Sequence, residues 1–242
     1  MIFRKRIPVL IISLFFVIGF VISDCRRNGL NEQASAAADE YPTVIIDAGH
    51  GGFDGGASVA DGTNEKDINL AISLELKTEL KERGVSVFMI REDDRSVEDD
   101  GLSTVRSRKV SDLHNRLNVM ANTDNCIYVS IHQNFFEDTR CKGMQVFYSP
   151  NFSESSSSLA QYIQNSVTET LQPDNTRLIK PCGTSVYIIY NAVKPAVLVE
   201  CGFLSNPEEA QKLKDEEYQH SLAECIADGI LNYFCSSNNE KV

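Results

Sequence analysis

A chain of 242 residues with 42% hydrophobic side chains is long enough for one sizeable core or two small ones. Its 34 acidic and 23 basic residues give a formal net charge of -11, which repels phosphate backbones unless a local basic run reverses the field. The sequence shows no such run, so nucleic acid is excluded as a partner.

In chain order, Arg4-Lys5-Arg6 precede the apolar stretch Ile7 to Ile22, the pattern of an export signal. Residues 1–23 therefore read as a signal peptide or membrane anchor and 24–41 as a polar, alanine-rich linker. Residues 42–236 read as a single globular domain and 237–242 as a tail. The A-x-A site Ala34-Ser35-Ala36 lies beyond Arg26-Arg27, far from the apolar run, which favours an uncleaved anchor. Asp24 stands before Cys25, where lipid attachment needs a small residue. The positive flank predicts an extracytoplasmic location for everything that follows, with membrane contact through the N-terminal segment. Seven cysteines, an odd count without a C-x-x-C pair, give no disulfide framework, and Cys126, Cys201 and Cys225 read as small buried hydrophobes.

From Thr43 onward, strands and helices alternate. Strands are predicted at 43–47, 85–90, 126–131, 143–148, 186–190 and 196–200, mostly as unbroken apolar runs suited to strands covered on both faces. The first helix, 65–83, carries Ile68, Ile72, Leu76 and Leu80 at four-residue steps, with Asn64 as N-cap and Gly84 as stop. A second runs over 112–122 with Ser111 as cap, a third carries Leu159, Ile163, Val167 and Leu171, and a last spans 216–234. The acidic stretch 92–101, with Arg106, Arg108 and Lys109 after it, reads as a solvated loop. The expected fold is α/β: a single domain with a twisted, mostly parallel six-stranded sheet and helices on both faces, after an N-terminal apolar segment.

Ligands of open α/β sheets bind beyond the carboxyl ends of the strands. His50 follows the first strand in DAGHGG, His132 follows the third and Glu200 closes the last, so parallel strands would bring all three to one edge. Glu65 joins them if the glycine-rich loop 51–64 folds back. A phosphate cradle fails because the G-x-G-x-x-G register puts Asp54 where the third glycine belongs. A turn alone explains the glycines but not His50. Two imidazoles and a carboxylate form the ligand set of a catalytic zinc site. A further carboxylate can take a proton from a zinc-acidified water and return it to a leaving amine. His50, Glu65 and His132 are therefore assigned to one Zn2+ and Glu200 to acid–base work, with Asp47 expected behind a ligand imidazole. His114 and His220, inside amphipathic helices, are assigned to packing or the surface.

These segments, VIIDAGHGG, NEKDINL, the run from Arg116 to Asn122, SIHQN and PAVLVECGFLSN, resemble in order and spacing the zinc-dependent N-acetylmuramoyl-L-alanine amidases of bacterial cell walls. The resemblance spans roughly 43–234 and makes 42–236 the catalytic domain. It implies hydrolysis of the amide between N-acetylmuramic acid and L-alanine, with the glycan strand and stem peptide of peptidoglycan as substrate. It also fixes Glu65 as the carboxylate ligand. Arg116 and Asn134 fall in its motifs as supporting or substrate-positioning residues, while Gln133-Asn134-Phe135 departs mildly from the family pattern. An anchor followed by a bare catalytic domain is similar to amidases that form muramic lactam in spore cortex, and this implies an activating protein partner. Two alternatives stand beside it: a non-catalytic peptidoglycan-binding protein with this fold, and a zinc carboxypeptidase that shares the general chemistry, with Arg116 holding a substrate carboxylate, although the motif spacing argues for the amidase.

Overall fold

The computed structural model describes residues 41–59 and 61–239. The expected signal or anchor, and all of the linker but Tyr41, lie outside them. Among the described residues no helix is long and apolar enough to cross a membrane.

Strand β1 (Thr43–Ala48) leads through a glycine-rich loop to α1 (Glu65–Glu82), then β2 (Val87–Met89), α2 (Val105–Asn122) and β3 (Cys126–Asn134). β4 (Gln145–Tyr148), α3 (Ser153–Thr170), β5 (Lys180–Pro181) and α4 (Tyr187–Tyr190) follow, and β6 (Ala196–Phe203), α5 (Pro207–Leu213) and α6 (Glu216–Asn239) complete the domain. The sheet order is β2-β1-β3-β6-β4-β5. The four strands β2, β1, β3 and β6 run parallel, and β4 turns antiparallel against β6. This is the expected mostly parallel six-stranded sheet with helices on both faces.

Its two faces are covered unequally. Val44, Ile46, Val129, Ile131, Val197 and Val199 point into a large core with α1, α3 and α6. The four-residue spacing of α1 sets Ile68, Ile72, Leu76 and Leu80 at 3% exposure or less, each stabilising by roughly 1.5–3 kcal/mol. The opposite face packs Ile45, Tyr128 and Leu198 against α2 and the short α4. Because α4 has only four residues, the carboxyl ends of the central strands stay uncovered there.

Three expectations need correction. The run 186–190 is helix and turn, not strand: α4 buries Ile188 and Ile189, and a short apolar run is ambiguous by periodicity alone. The sixth strand is instead Lys180–Pro181 at the sheet edge, where proline's missing donor costs no ladder bond. The second helix starts at Val105, with Thr104 and Ser107 closing a reciprocal capping box, so Arg106, Arg108 and Lys109 are helical. Ser111 is no cap; it accepts from the Asp99 amide and donates to its carboxylate, while Asp112 accepts from the Val97 amide. The acidic stretch is thus pinned to α2. The last helix continues to Asn239, past the expected start of the tail at 237.

Candidate metal centre and active site

Register places the key residues in one row. Ala48 pairs with Ile131, so Gly49 falls opposite His132; His132 pairs with Glu200, and Glu200 with Gln145. Paired residues share a face, and this is the uncovered one. Gly49 is required by that row, since a Cβ there would run into the His132 ring.

After Gly49 the chain turns sharply. His50 adopts φ 61°, a left-handed conformation that costs a β-carbon-bearing residue energy. Two buried arginines hold the turn. Arg116 donates to the Ala48 carbonyl at 3.1 Å and the His50 carbonyl at 2.7 Å, and pairs with Asp47 and Asp112. Arg91, fully buried, donates to Ala48 O at 2.8 Å, Gly49 O at 3.0 Å and Lys66 O at 2.8 Å. Three successive carbonyls are thereby fixed before the imidazole is placed.

The loop then folds back and starts α1 over the same edge, as the assignment of Glu65 required. Glu65 Oε2 lies 3.2 Å from His50 Nε2, and Oε1 lies 2.9 Å from His132 Nδ1. The three donors lie within 4.8 Å of one another. Backbone amides of Ala57 and Gln133 donate to the same carboxylate at 2.9 and 3.1 Å, and Asn69 reaches it at 3.3 Å. Burial opposes ionisation of Glu65, but the two imidazoles bonded to it hold it well below the usual carboxylate range. A cavity of about 220 Å³ opens in front, lined in part by His50, Phe53, Lys109, His132 and Ile188.

Asp54 does the work expected of Asp47. His50 Nδ1 lies 3.1 Å from Asp54 Oδ2, and Lys109 of α2 lies 3.1 Å from Asp54 Oδ1. Burial disfavours a charged His50, yet Asp54 and Glu65 outweigh it and raise the ring to about 9. Asp47 instead pairs with Arg116 and accepts from Ser130 at 2.8 Å, touching neither ligand ring by hydrogen bond. It acts on His50 only through Arg116. Arg116 is 2% exposed and spent on these partners, so it cannot receive a substrate carboxylate. Asn134 ends β3 and accepts from the Leu204 amide through its backbone, away from the three donors.

Glu200 sits beside His132 with Oε2 shielded from solvent and without a hydrogen-bond partner. Burial pushes its carboxyl up to about 7; the imidazoles of His132 and His50 offset this only in part, and the Glu65 carboxylate adds to it. His220 pairs on the surface with Glu75 and His114 packs on Tyr187, as expected. Among the described residues Cys126, Cys141, Cys182, Cys201, Cys225 and Cys235 are all free thiols.

A family model described as N-acetylmuramoyl-L-alanine amidase matches residues 44–232. The chain belongs to that family. It is an N-acetylmuramoyl-L-alanine amidase, a hydrolase of peptidoglycan. The amidase is 37% identical to the germination-specific N-acetylmuramoyl-L-alanine amidase of Bacillus subtilis over 191 residues, 79% of each chain. It is 40% identical to the CwlD amidase of Clostridioides difficile, solved in complex with the GerS lipoprotein; the match has a TM-score of 0.77 and covers 81% of this chain and 99% of that one. The AmiC2 amidase of Nostoc punctiforme matches at 29% identity and a TM-score of 0.67, over 79% of this chain and 96% of its own.

Proposed function

We propose that this amidase is zinc-dependent, with His50, Glu65 and His132 holding one ion and Glu200 moving the proton as the bond between N-acetylmuramic acid and L-alanine is cut. The observation that carries this reading is the strand register, which sets Glu200 beside a ligand imidazole with an unpartnered carboxylate oxygen. The donor set fits the ion. Ligands of a tetrahedral zinc stand roughly 3.4 Å apart, and the pairs found here, at 3.2 and 2.9 Å, need only small ring movements.

Zinc supplies Lewis acidity, which polarises a carbonyl and acidifies water. The chain supplies the rest. Asp54, through Nδ1, turns Nε2 of His50 toward the site, and the amides on Glu65 keep its carboxylate ionised and oriented. Glu200, whose carboxyl burial raises to about 7 in the empty site, can accept a proton from water and deliver it to the leaving amine nitrogen. The carboxypeptidase reading loses its anchor with Arg116 buried.

Similarity to the germination-specific enzyme and to CwlD supports action in spore cortex, with muramic lactam as the eventual product. The CwlD structure with GerS supports a lipoprotein-like activating partner for this chain too. The basic and apolar N-terminal segment supports export and anchoring of the domain 42–236 outside the cytoplasm.

Metal analysis and digestion of purified peptidoglycan test the core of this reading. We expect about one zinc per chain and new L-alanine amino ends. His50→Ala and His132→Ala should lose the metal, whereas Glu200→Gln should keep it and lose cleavage. A fully active Glu200→Gln variant would remove that residue from the reaction.

A further inference from the structure

The row of side chains on the uncovered face does not stop at Glu200. Its β4 neighbour Gln145, 3% exposed, turns its amide outward. Nε2 donates to Leu178 O at 2.7 Å, and Oε1 accepts from Arg177 Nη1 at 3.2 Å. Arg177 is further fixed by Nε, which donates to Lys142 O at 2.7 Å, and by the Phe203 ring 4.5 Å beneath its guanidinium. Phe203 closes β6, three residues after Glu200. The planar group is therefore held from three directions. Among the described residues no carboxylate pairs with it, and Nη2 has no partner.

The guanidinium lines a cavity of about 400 Å³ between 140–143, the loop from α3 to β5, and α5. Lys142 and Lys212 line it as well, neither in an ion pair among the described residues. Of the two acids on the wall, Glu209 has both oxygens committed to the Gly143 and Phe203 amides, at 2.8 Å each. That leaves exposed Asp174 against three unpaired cations, in a chain whose net charge is -11. A rigid guanidinium fork suits a planar carboxylate better than a flexible ammonium does.

We propose that this cavity is the subsite for a carboxylate of the stem peptide, with Arg177 as its anchor. The proposal rests on the amidase reading and on Glu200 marking the cleaved bond. Antiparallel neighbours stand about 5 Å apart at Cβ, and the Gln145 side chain intervenes, so the guanidinium lies on the order of 10 Å from Glu200. Extended peptide spans about 3.4 Å per residue. The carboxylate recognised is therefore two or three residues beyond the cut, since the carboxyl of L-alanine itself is tied up in the next amide of the stem.

The test compares two synthetic muramyl peptides, one with free stem carboxylates and one with the same carboxylates amidated, on the full chain loaded with zinc. A charge-assisted bond of this kind predicts that wild type prefers the free acid by about 10- to 100-fold in kcat/KM. In Arg177→Gln that ratio should fall close to one, with the loss carried by KM, and Arg177→Lys should fall between. Equal use of both peptides by wild type would overturn the proposal, as would an Arg177→Gln variant that keeps the preference or loses kcat on both alike. Thermal melts of the variants separate misfolding from lost recognition. Absence of any cleavage at the muramoyl amide by wild type would instead sink the amidase reading, a distinct outcome.

Discussion

Glu200→Gln should abolish cleavage by the zinc-loaded enzyme and, in the metal-free protein, raise stability. Burial raises the Glu200 carboxyl from its ordinary 4.5 to about 7. Between those values the folded chain holds a proton that the unfolded chain has released, so stability falls as pH rises through the window. Above it the penalty is constant. At about 1.4 kcal/mol per pH unit the cost reaches about 3 kcal/mol, an upper value because the residue keeps a partial opening to solvent. Glutamine has the same shape and no charge. In chelator at pH 8 the variant should exceed wild type by up to that amount, a Tm rise of roughly 6–12 °C, and the gap should close toward pH 4.5. Urea unfolding followed by circular dichroism, across pH 4 to 8 at matched m-values, reads it directly. Activity should drop by about 10²- to 10⁴-fold. A variant no more stable than wild type at pH 8, or a gap independent of pH, would show that Glu200 does not bury its charge at a cost.

Three other substitutions probe what holds the site. Gly49→Ala should keep the fold but lose zinc affinity at least tenfold, because the new Cβ displaces the His132 ring; isothermal titration with zinc checks it. Arg91→Met should cost about 1–3 kcal/mol, since Arg116 and Asn69 still serve the Ala48 and Gly49 carbonyls, and should weaken zinc binding as the His50 turn relaxes. Asp47→Asn leaves the buried Arg116 with Asp112 as its remaining carboxylate partner, a loss of about 1–3 kcal/mol. Burial opposes ionisation of Asp47 but Arg116 lowers its carboxyl below the ordinary value, so the wild-type advantage is complete above about pH 4 and disappears as pH falls through the folded value. Thermal melts from pH 2 to 7 would expose a pH-independent difference if the pair were unimportant.

The legible parts of this chain were those where local pattern and tertiary role coincide. β1, β3 and β6 are buried on both faces, so their apolar runs needed no further information, and the strand-end rule then brought His50, His132 and Glu200 to one edge. Where the pattern was short, it misled. YIIY at 187–190 satisfies a strand and a helical turn equally, and only its packing against α2 selects the turn. Asp47 stands beside the site in the sequence, which is what points to it. The two-residue period of the strand does keep Asp47 on the site's face, but Arg116 reaches it first. Asp54 comes close to His50 only through the tight 51–54 turn, closed by reciprocal Gly51–Asp54 backbone bonds. Arg91 stands directly beyond β2, where the same strand-end rule could have found it.

The electrostatics explain why such a site is built around a cation rather than merely tolerating one. Glu65, Asp54 and Glu200 put three carboxylates within one partly buried region, a costly arrangement unless positive charge is supplied. Lys109 supplies some from outside, through Asp54. In the metal-free protein the remainder comes from a proton on His50, which is why that ring is raised to about 9 despite burial. A divalent ion must displace that proton, so zinc and protons compete for the same imidazole nitrogen and metal affinity should fall as pH is lowered. The ion in turn favours the charged form of Glu200, and the stability that Glu200 costs the empty fold becomes binding free energy for the metal.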